Sequence, residues 1–244
     1  MRDIILELKN KTDEIISNGW IQSYCNGTSS VGLTFEKMLG KEIDRFELPD
    51  FKGIEIKTKL INSHSYITLF SATPDSYLFE TRRLHSIYGY PDRDNINFKM
   101  FNISVVSNFK KRISGKYFFQ IHVNWNDKKV YLHIYNKNNK LIDNFTSWSF
   151  DLLEEKLIRK LSYLAMVKAT KSSRDSISYY KYLSINFYKL KNFQTFIKLI
   201  DKGIIRITFK VSTIKSGPKV GKICDHGTSF DIQEKDLELL FNKL

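Results

Sequence analysis

The sequence has few of the residues and patterns that mark several common classes of protein. It has 2 cysteines in 244 residues, Cys25 and Cys224, and no Cys-x-x-Cys pair. This excludes a disulfide framework and a cysteine-based zinc site, and it favours a reducing compartment. With 4 prolines and 11 glycines, the chain has no Pro/Gly/Ser-rich linker, and it has no internal repeat. We therefore expect one continuous fold.

Long hydrophobic runs are also missing. No stretch approaches the roughly 18 consecutive apolar residues that a membrane span needs. The first residues, MRDIILELKNKTDEI, mix charges into their apolar run, unlike a signal peptide. We therefore expect a soluble, cytoplasmic protein that has no membrane partner.

Acidic residues are outnumbered, with 39 Lys and Arg against 26 Asp and Glu, a net charge of +13. The surplus lies between Lys156 and Lys222, where 16 basic and 2 acidic residues give +14, while the other 23 basic and 24 acidic residues give −1. Such a balance indicates a polyanionic partner. The alternative is an ordinary solvated, lysine-rich surface. With 42% hydrophobic and 14% aromatic residues, the chain can bury a core, which excludes disorder as its main state.

Hydrophobic periodicity predicts a mixed α/β fold in which strands outnumber helices. Apolar residues at helical spacing predict helices at 3–17, 34–42, 150–164, 190–202 and from Glu234 onward. Alternation of apolar and polar residues predicts strands at 54–57, 66–70, 101–107, 117–124, 130–135, 164–169, 179–184, 204–211 and near Phe230.

The segment PDFKGIEIKT, residues 49–58, brings three charged side chains together. In a strand, Glu55 and Lys57 project from one face, while the isoleucines between them face the core. Gly53 permits a bend that turns the carboxylate of Asp50 toward Glu55. Two converging carboxylates repel each other unless a cation lies between them, and oxygen ligands suit Mg²⁺. The pattern indicates metal-assisted phosphodiester hydrolysis, although the same spacing occurs in strands that merely present a solvated face.

The surrounding sequence favours the chemical interpretation. VGLTFEKMLG upstream, PDFKGIEIKT itself and TLF downstream strongly resemble the MvaI/BcnI family of type II restriction endonucleases, relatives of the MutH nuclease in the PD-(D/E)xK superfamily. Further landmarks follow in the same order over nearly the whole chain: Trp20, the run from Asp143 to Asp151, the tyrosines at 179–182, Ser216-Gly217 and DHGT at 225–228.

This resemblance implies a mixed β-sheet core flanked by helices, with two lobes that form a DNA cleft. It implies a single endonuclease domain over residues 1–244, in which 1–150 are mainly catalytic and 151–244 mainly bind and recognise DNA. The catalytic acids and lysine of the family fall on Asp50, Glu55 and Lys57, and its helix glutamate falls on Glu36. The metal ligands implied are Asp50, Glu55 and the backbone carbonyl of Ile56, and the cofactor is Mg²⁺.

The predicted DNA contacts lie in a basic loop around Ser216-Gly217-Pro218 and in the DHGT segment after it, residues 225–228. The loop is rich in lysine and small residues, which let backbone amides approach DNA, and by resemblance it enters a groove. His226 resembles a family residue near the DNA, although an Asp225-His226 turn with a left-handed Gly227 explains the same residues. Arg82, Arg83, Arg93 and Arg206 are candidate readers of guanine, and Asp231 a candidate acceptor from cytosine. The predicted DNA-binding residues are Lys210, Lys215, Ser216, Gly217, Lys219, Lys222, Asp225 and His226.

The resemblance implies a Mg²⁺-dependent enzyme that cuts double-stranded DNA at a short, nearly palindromic site of the CC-N-GG type and leaves 5′-phosphate ends. It implies a monomer on DNA and a cognate DNA methyltransferase as genetic partner. One alternative is a MutH-like enzyme that nicks one strand in mismatch repair. Another is a DNA-binding protein without catalysis.

Overall fold

The computed structural model describes residues 1–41, 48–113 and 115–244. The α-helices in these ranges are α1 (Arg2–Ser17), α2 (Ser30–Met38), α3 (Glu80–Tyr88), α4 (Phe150–Leu161), α5 (Phe193–Asp201) and α6 (Leu237–Leu240). The strands are β1 (Trp20–Gln22), β2 (Ile54–Leu60), β3 (Ile67–Ser71), β4 (Tyr90–Pro91), β5 (Lys99–Val105), β6 (Lys111–Ile113), β7 (Tyr117–Asn124), β8 (Lys129–Asn136), β9 (Leu141–Asp143), β10 (Ser147–Ser149), β11 (Tyr163–Arg174), β12 (Ile177–Leu190), β13 (Arg206–Thr213), β14 (Ile223–Ile232) and β15 (Phe241–Lys243).

The chain forms two compact units, and each is built from separate stretches of sequence. Unit 1 comprises residues 1–65, 158–191 and 240–244, and unit 2 comprises residues 66–157 and 192–239. The prediction of a mixed α/β fold is confirmed. The division of a single endonuclease domain near residue 150 stays a prediction. No helix in the described ranges is long and apolar enough to cross a membrane.

Unit 1 contains one sheet with the strand order β1-β12-β11-β2, and β15 also pairs with β12. β11 runs parallel to β2, and the other pairs are antiparallel. β11 and β12 form a long hairpin whose turn, Asp175-Ser176, has positive φ at both residues (48° and 65°), as the tight turns that match strand twist require. Helices α1 and α2 supply Leu8, Ile15 and Phe35 to the core against Ile54, Ile56 and Val167 of the sheet.

Unit 2 contains two sheets, one ordered β3-β14-β13-β5-β4 and the other ordered β10-β8-β7-β6, with β9 also paired to β8. Aromatic side chains fill its interior. Trp148 is fully buried, its indole N–H donates to the carbonyl of Ala72 at 2.9 Å, and its ring contacts Phe209 and Phe230. Because the indole N–H is paired, this large side chain is buried without an unsatisfied donor.

The predicted elements correspond to most of the observed ones, and the differences have local causes. α2 begins at Ser30, four residues before the predicted start, and position 42 of that prediction lies outside the described residues. The predicted helix from Glu234 is a 3-10 turn (Glu234–Asp236) and the short α6, because the chain then leaves as β15 to pair with β12. The hydrophobic periodicity does not indicate α3. Its buried face includes the charged Glu80, and the exposed Arg82 follows two residues later, so the helical pattern of apolar residues is weak.

Candidate active site

A tight turn before β2 places the first acid of the motif. Phe51 and Ile54 exchange backbone hydrogen bonds of 2.9 and 2.8 Å across Lys52 and Gly53, which have φ of 44° and 90°. The positive φ at Gly53 is open to glycine and strained for other residues. As a result the chain doubles back, and the Asp50 Oδ2 accepts a 2.9 Å hydrogen bond from the backbone N–H of Ile56. The predicted bend toward Glu55 is present.

The alternation within β2 separates core from site as its sequence predicts. Ile54 and Ile56 are buried in the core of unit 1. Lys57 lies two residues beyond Glu55, and its Nζ donates to the Glu55 Oε1 at 2.6 Å, which requires both side chains to lie on one face. The side chain of Lys57 is one-quarter exposed, whereas that of Glu55 is 2% exposed.

Glu55 is a carboxylate enclosed by protein. Burial raises the pKa of Glu55, the charge of Lys57 opposes that effect, and the charge of Asp50 adds to it. The Glu55 Oε2 is buried and has no hydrogen-bond partner among the described residues. Buried carboxylate oxygens are almost always paired, so this oxygen is open to a ligand that is a cation or a hydrogen-bond donor.

Helix α2 brings the second predicted acid to the same place. Glu36 lines the cavity that contains Asp50, Glu55 and Lys57. α2 approaches β2 closely at Gly32, where an added Cβ would lie 3.2 Å from the Thr58 Oγ1.

Two tyrosines of β12 hold the start of α2. The Tyr182 hydroxyl donates to the Val31 carbonyl at 2.8 Å, and the Tyr180 hydroxyl lies 2.5 Å from the Ser30 Oγ. These family landmarks therefore position the helix that carries Glu36.

The cavity has a volume of about 360 Å³ and holds charges of both signs. Lys41 Nζ lies 2.5 Å from the Asp50 Oδ1 and 4.0 Å from the Glu36 Oε2, so it links the two acids. The lining residues are Thr28, Ser29, Val31, Gly32, Leu33, Glu36, Asp50, Glu55, Ile56, Lys57, Thr58 and Lys160. All four predicted catalytic side chains are thus brought together in unit 1.

Lys160 is a charged residue of the cavity wall that the sequence motifs did not indicate. It lies in the last turn of α4, and its Nζ is 3.5 Å from the Glu55 Oε1. The order and direction of the strands are the signal that places Lys160 near Glu55. Strand β11 starts three residues later and pairs in parallel with β2, with Tyr163 opposite Ile54. Because parallel neighbours begin at the same edge of a sheet, the residues before β11 lie beside the start of β2.

The predicted DNA-binding residues all lie in unit 2, on or beside the hairpin of β13 and β14. Lys210 is an exposed residue of β13. The connecting loop closes through hydrogen bonds from Ile214 N to Lys222 O and from Gly221 N to Ile214 O, and its residues 216–222 are exposed. This loop carries Ser216, Gly217, Lys219 and Lys222 of the prediction. Lys215 differs, because its Nζ is paired with Asp92 at 2.8 Å and Asp94 at 2.6 Å.

The DHGT segment contains the turn that its sequence offered as the alternative interpretation. The Asp225 Oδ1 accepts from Gly227 N at 2.8 Å, Gly227 has a φ of 86°, and the Asp225 Oδ2 accepts from the Thr81 hydroxyl at 2.5 Å. His226 is exposed, and its Nε2 lies 3.4 Å from the Ser212 Oγ. The turn therefore fixes Asp225 and leaves the imidazole of His226 at the surface.

Three of the candidate base readers are engaged within the protein. Arg83 donates to Glu80 and Asp143, with shortest distances of 2.6 Å to each. Arg206 donates to Asp231 at 3.2 Å. Asp231 is 2% exposed and also accepts hydrogen bonds from the hydroxyls of Thr68 and Thr208. The carboxylate is therefore buried, whereas the sequence suggested that it faces DNA. Burial with three donors gives Asp231 a structural role.

The remaining candidate readers, Arg82 and Arg93, are exposed, and the guanidinium of Arg82 lies 4.9 Å from the ring centroid of Phe79.

Two solved structures give the class of protein. The chain is 31% identical to the restriction endonuclease MvaI in a complex with its cognate DNA substrate, with a TM-score of 0.92, and the match covers 100% of this chain and 98% of that one. MvaI in the absence of DNA matches with the same identity and coverage and a TM-score of 0.64. A search of curated proteins found no match. Fold and site together place the chain among the restriction endonucleases.

The family follows from the sequence as a whole. A model of the MvaI/BcnI restriction endonuclease family matches residues 9–241, and the chain belongs to this family. It is a type II site-specific deoxyribonuclease. The resemblance inferred from PDFKGIEIKT and its neighbours is confirmed, and the family favours a restriction enzyme over the repair nickase and the DNA-binding protein without catalysis.

Proposed function

We propose that this enzyme hydrolyses both strands of duplex DNA at a short, nearly palindromic site of the CC-N-GG type, in a Mg²⁺-dependent reaction that leaves 5′-phosphate ends. A water oxygen loses a proton and forms a bond to phosphorus, and the bond from phosphorus to the 3′-oxygen breaks. The 3′-oxygen takes up a proton from solvent and leaves as a 3′-hydroxyl. The observation that carries the proposal is the cavity where Asp50, Glu55 and Lys57 meet.

The residues present fit a magnesium ion. Mg²⁺ is bound in proteins by one or two carboxylates, substrate phosphates and several waters. Asp50, Glu55 and the Ile56 carbonyl supply oxygen ligands of this kind. The Glu55 Oε2 is buried and has no hydrogen-bond partner among the described residues, so a bound cation would stabilise it most. When bound, the ion would polarise the phosphate and lower the pKa of a water.

The side chains of the cavity have distinct tasks. Lys57, one-quarter exposed, turns from Glu55 to the scissile phosphate, where its ammonium orients the attacking water and stabilises negative charge. Asp50 is held by the Ile56 N–H, so its remaining oxygen lone pairs keep a fixed direction. Glu36 adds a negative charge from α2 and is linked to Asp50 through Lys41.

The lysines and small residues of the β13–β14 loop contact phosphates, and His226 contacts a phosphate or a base edge. The similar MvaI structure is a complex with cognate DNA, which supports DNA as the partner here. We further propose that the enzyme acts as a monomer in the cytoplasm, alongside a methyltransferase that protects the same site.

A plasmid digest with purified protein tests this function. Discrete linear fragments with Mg²⁺ alone are expected, and run-off sequencing of their ends gives the site and the cut position. Nicked circles only, or activity that needs added repair proteins, would contradict double-strand cleavage. Tight binding without cleavage in Mg²⁺ or Mn²⁺ would contradict catalysis.

A further inference from the structure

Two lysines approach one oxygen of Glu55. Lys57 Nζ lies 2.6 Å and Lys160 Nζ lies 3.5 Å from the Glu55 Oε1, and their side chains are similarly exposed, at 25% and 27%. Lys57 makes a hydrogen bond with that oxygen, whereas Lys160 is an ion-pair partner at a longer distance. One buried carboxylate oxygen is therefore shared by two ammonium groups.

The sharing has a consequence once DNA is bound. In the proposed mechanism Lys57 turns to the scissile phosphate and leaves Glu55, whose side chain is 2% exposed. The proposed Mg²⁺ would offset part of the Glu55 charge through the Oε2, but the buried Oε1 would be left without a hydrogen-bond donor, which is costly. The Lys160 Nζ lies 3.5 Å from the same oxygen, so a small movement of its side chain would replace the hydrogen bond that Lys57 releases.

The backbone around Lys160 is well fixed. α4 ends at Leu161, which is fully buried, and β11 begins at Tyr163, in register with Ile54 of β2. The base of the lysine is therefore tied to the strand that carries Glu55, and only its side chain needs to move. A cationic side chain on a long, flexible loop would first lose conformational entropy when the loop became ordered.

On these grounds we propose that Lys160 is a positioning residue, which holds the Glu55 carboxylate in place while Lys57 contacts the scissile phosphate. This inference rests on the proposed function for the departure of Lys57. The contact between Lys160 and Glu55 itself does not depend on that function.

The first experiment separates catalysis from binding. Single-turnover cleavage at saturating enzyme and Mg²⁺ is measured on a duplex that carries the site found by the digest, for the wild type, Lys160→Met and Lys160→Arg. Lys9→Met is the matched control, because Lys9 is an exposed lysine of unit 1 that pairs only weakly with Asp13. We expect Lys160→Met to lower the rate about tenfold or more, Lys160→Arg to keep most of it, and Lys9→Met to leave it unchanged.

Affinity for the same duplex, measured by fluorescence anisotropy with Ca²⁺ in place of Mg²⁺, is expected to stay within about twofold for all variants. A Lys160→Met rate within twofold of the wild type overturns the proposal. So does a loss confined to DNA affinity with an unchanged rate at saturation, since Lys160 would then be a phosphate contact.

A second experiment is independent of cleavage. Urea unfolding of the metal-free proteins is measured for the wild type, Lys160→Met, Glu55→Gln and the double variant. If Lys160 acts through Glu55, Lys160→Met destabilises the wild type and has no such effect in the Glu55→Gln background, where the buried charge is gone. Equal effects in both backgrounds overturn the proposal. If the wild type fails to cleave, the proposed function fails, while this cycle still reports on the contact.

Discussion

At the scale of the residue, the site depends on charges that the fold holds away from water. Glu55 is almost fully buried beside Asp50, and the charge of Lys57 offsets part of the cost of that burial. Such an arrangement is unfavourable for stability by itself, and it is typical of sites where charges are positioned for chemistry.

Removal of the motif lysine is the first residue-scale prediction. We expect Lys57→Ala to abolish plasmid cleavage, a loss of at least about 10³-fold, because the donor aimed at the phosphate is gone. DNA affinity measured with Ca²⁺ should stay close to that of the wild type.

Lys52→Ala is the control, since Lys52 is an exposed lysine of the same segment that pairs with Glu7. Mg²⁺-dependent cutting by Lys57→Ala would remove Lys57 from the mechanism.

A histidine outside the site gives a pH-dependent prediction. Burial on the β8 strand, with the charges of His122 and Lys110, lowers the pKa of His133 to about 4 from an ordinary value of 6.5. Between these values the unfolded chain takes up a proton that the folded protein does not, so stability is full above pH 6.5 and falls as the pH drops toward 4. We therefore expect His133→Gln to lose less stability than the wild type when urea unfolding at about pH 7 is compared with about pH 5.

His64→Gln, at an exposed position, controls for the loss of one histidine. Equal losses for the wild type and His133→Gln would show that protonation of His133 is not coupled to unfolding.

At the scale of the element, the close approach of α2 to β2 decides where Glu36 lies. An added Cβ at Gly32 would lie 3.2 Å from the Thr58 Oγ1, so a branched side chain requires a shift of α2 or of Thr58. Tyr180 and Tyr182 of β12 fix the first turn of the helix. The packing of one helix against the edge strand thus shapes one wall of the cavity.

A substitution at this approach is the element-scale prediction. Gly32→Val should displace α2 from β2 and lower the cleavage rate about tenfold or more, with a destabilisation of about 1–3 kcal/mol from overpacking. Steady-state cleavage and urea unfolding measure the two effects.

Met38→Val is the matched control, because it places the same β-branched residue at an exposed position of the same helix. If both variants cut equally well, the approach of α2 is not needed for activity.

At the scale of the whole molecule, the net charge of +13 is divided unevenly along the chain and is partly neutralised within the protein. Of the 16 basic residues between Lys156 and Lys222, Lys160 pairs with Glu55, Arg206 with Asp231, and Lys215 with Asp92 and Asp94. The number of phosphate contacts is therefore expected to be well below the number of cations.

Salt dependence is the prediction that follows. We expect affinity for duplex DNA with Ca²⁺ to fall about 10³-fold or more between 50 and 200 mM salt, which corresponds to roughly six or more phosphate contacts. Anisotropy titrations at several salt concentrations give the slope. A duplex without the recognition site should give a similar slope at lower affinity, because phosphates carry no sequence. A decrease in affinity of less than about tenfold over this range would contradict binding that is mainly electrostatic.

Ion pairs within the protein distinguish some candidate DNA contacts from others. Nothing in the local sequence distinguishes Lys215 from Lys219. Asp92 and Asp94, more than a hundred residues earlier, nevertheless pair with Lys215, and among the described residues they form no ion pair with Lys219. Asp231 and Arg206 are likewise joined across neighbouring strands. Such pairs depend on strand register, which a single sequence does not specify.

By itself, the sequence determined what depends on short-range order. The two-residue repeat of β2 puts Glu55 and Lys57 on one face, and Gly53 permits the turn that returns Asp50 to them, because both are consequences of local backbone geometry. Only the tertiary structure decided that α2 delivers Glu36 and that the parallel pairing of β11 with β2 delivers Lys160. These contacts join residues far apart in the chain, and they are fixed by the packing of a shared core rather than by any local pattern.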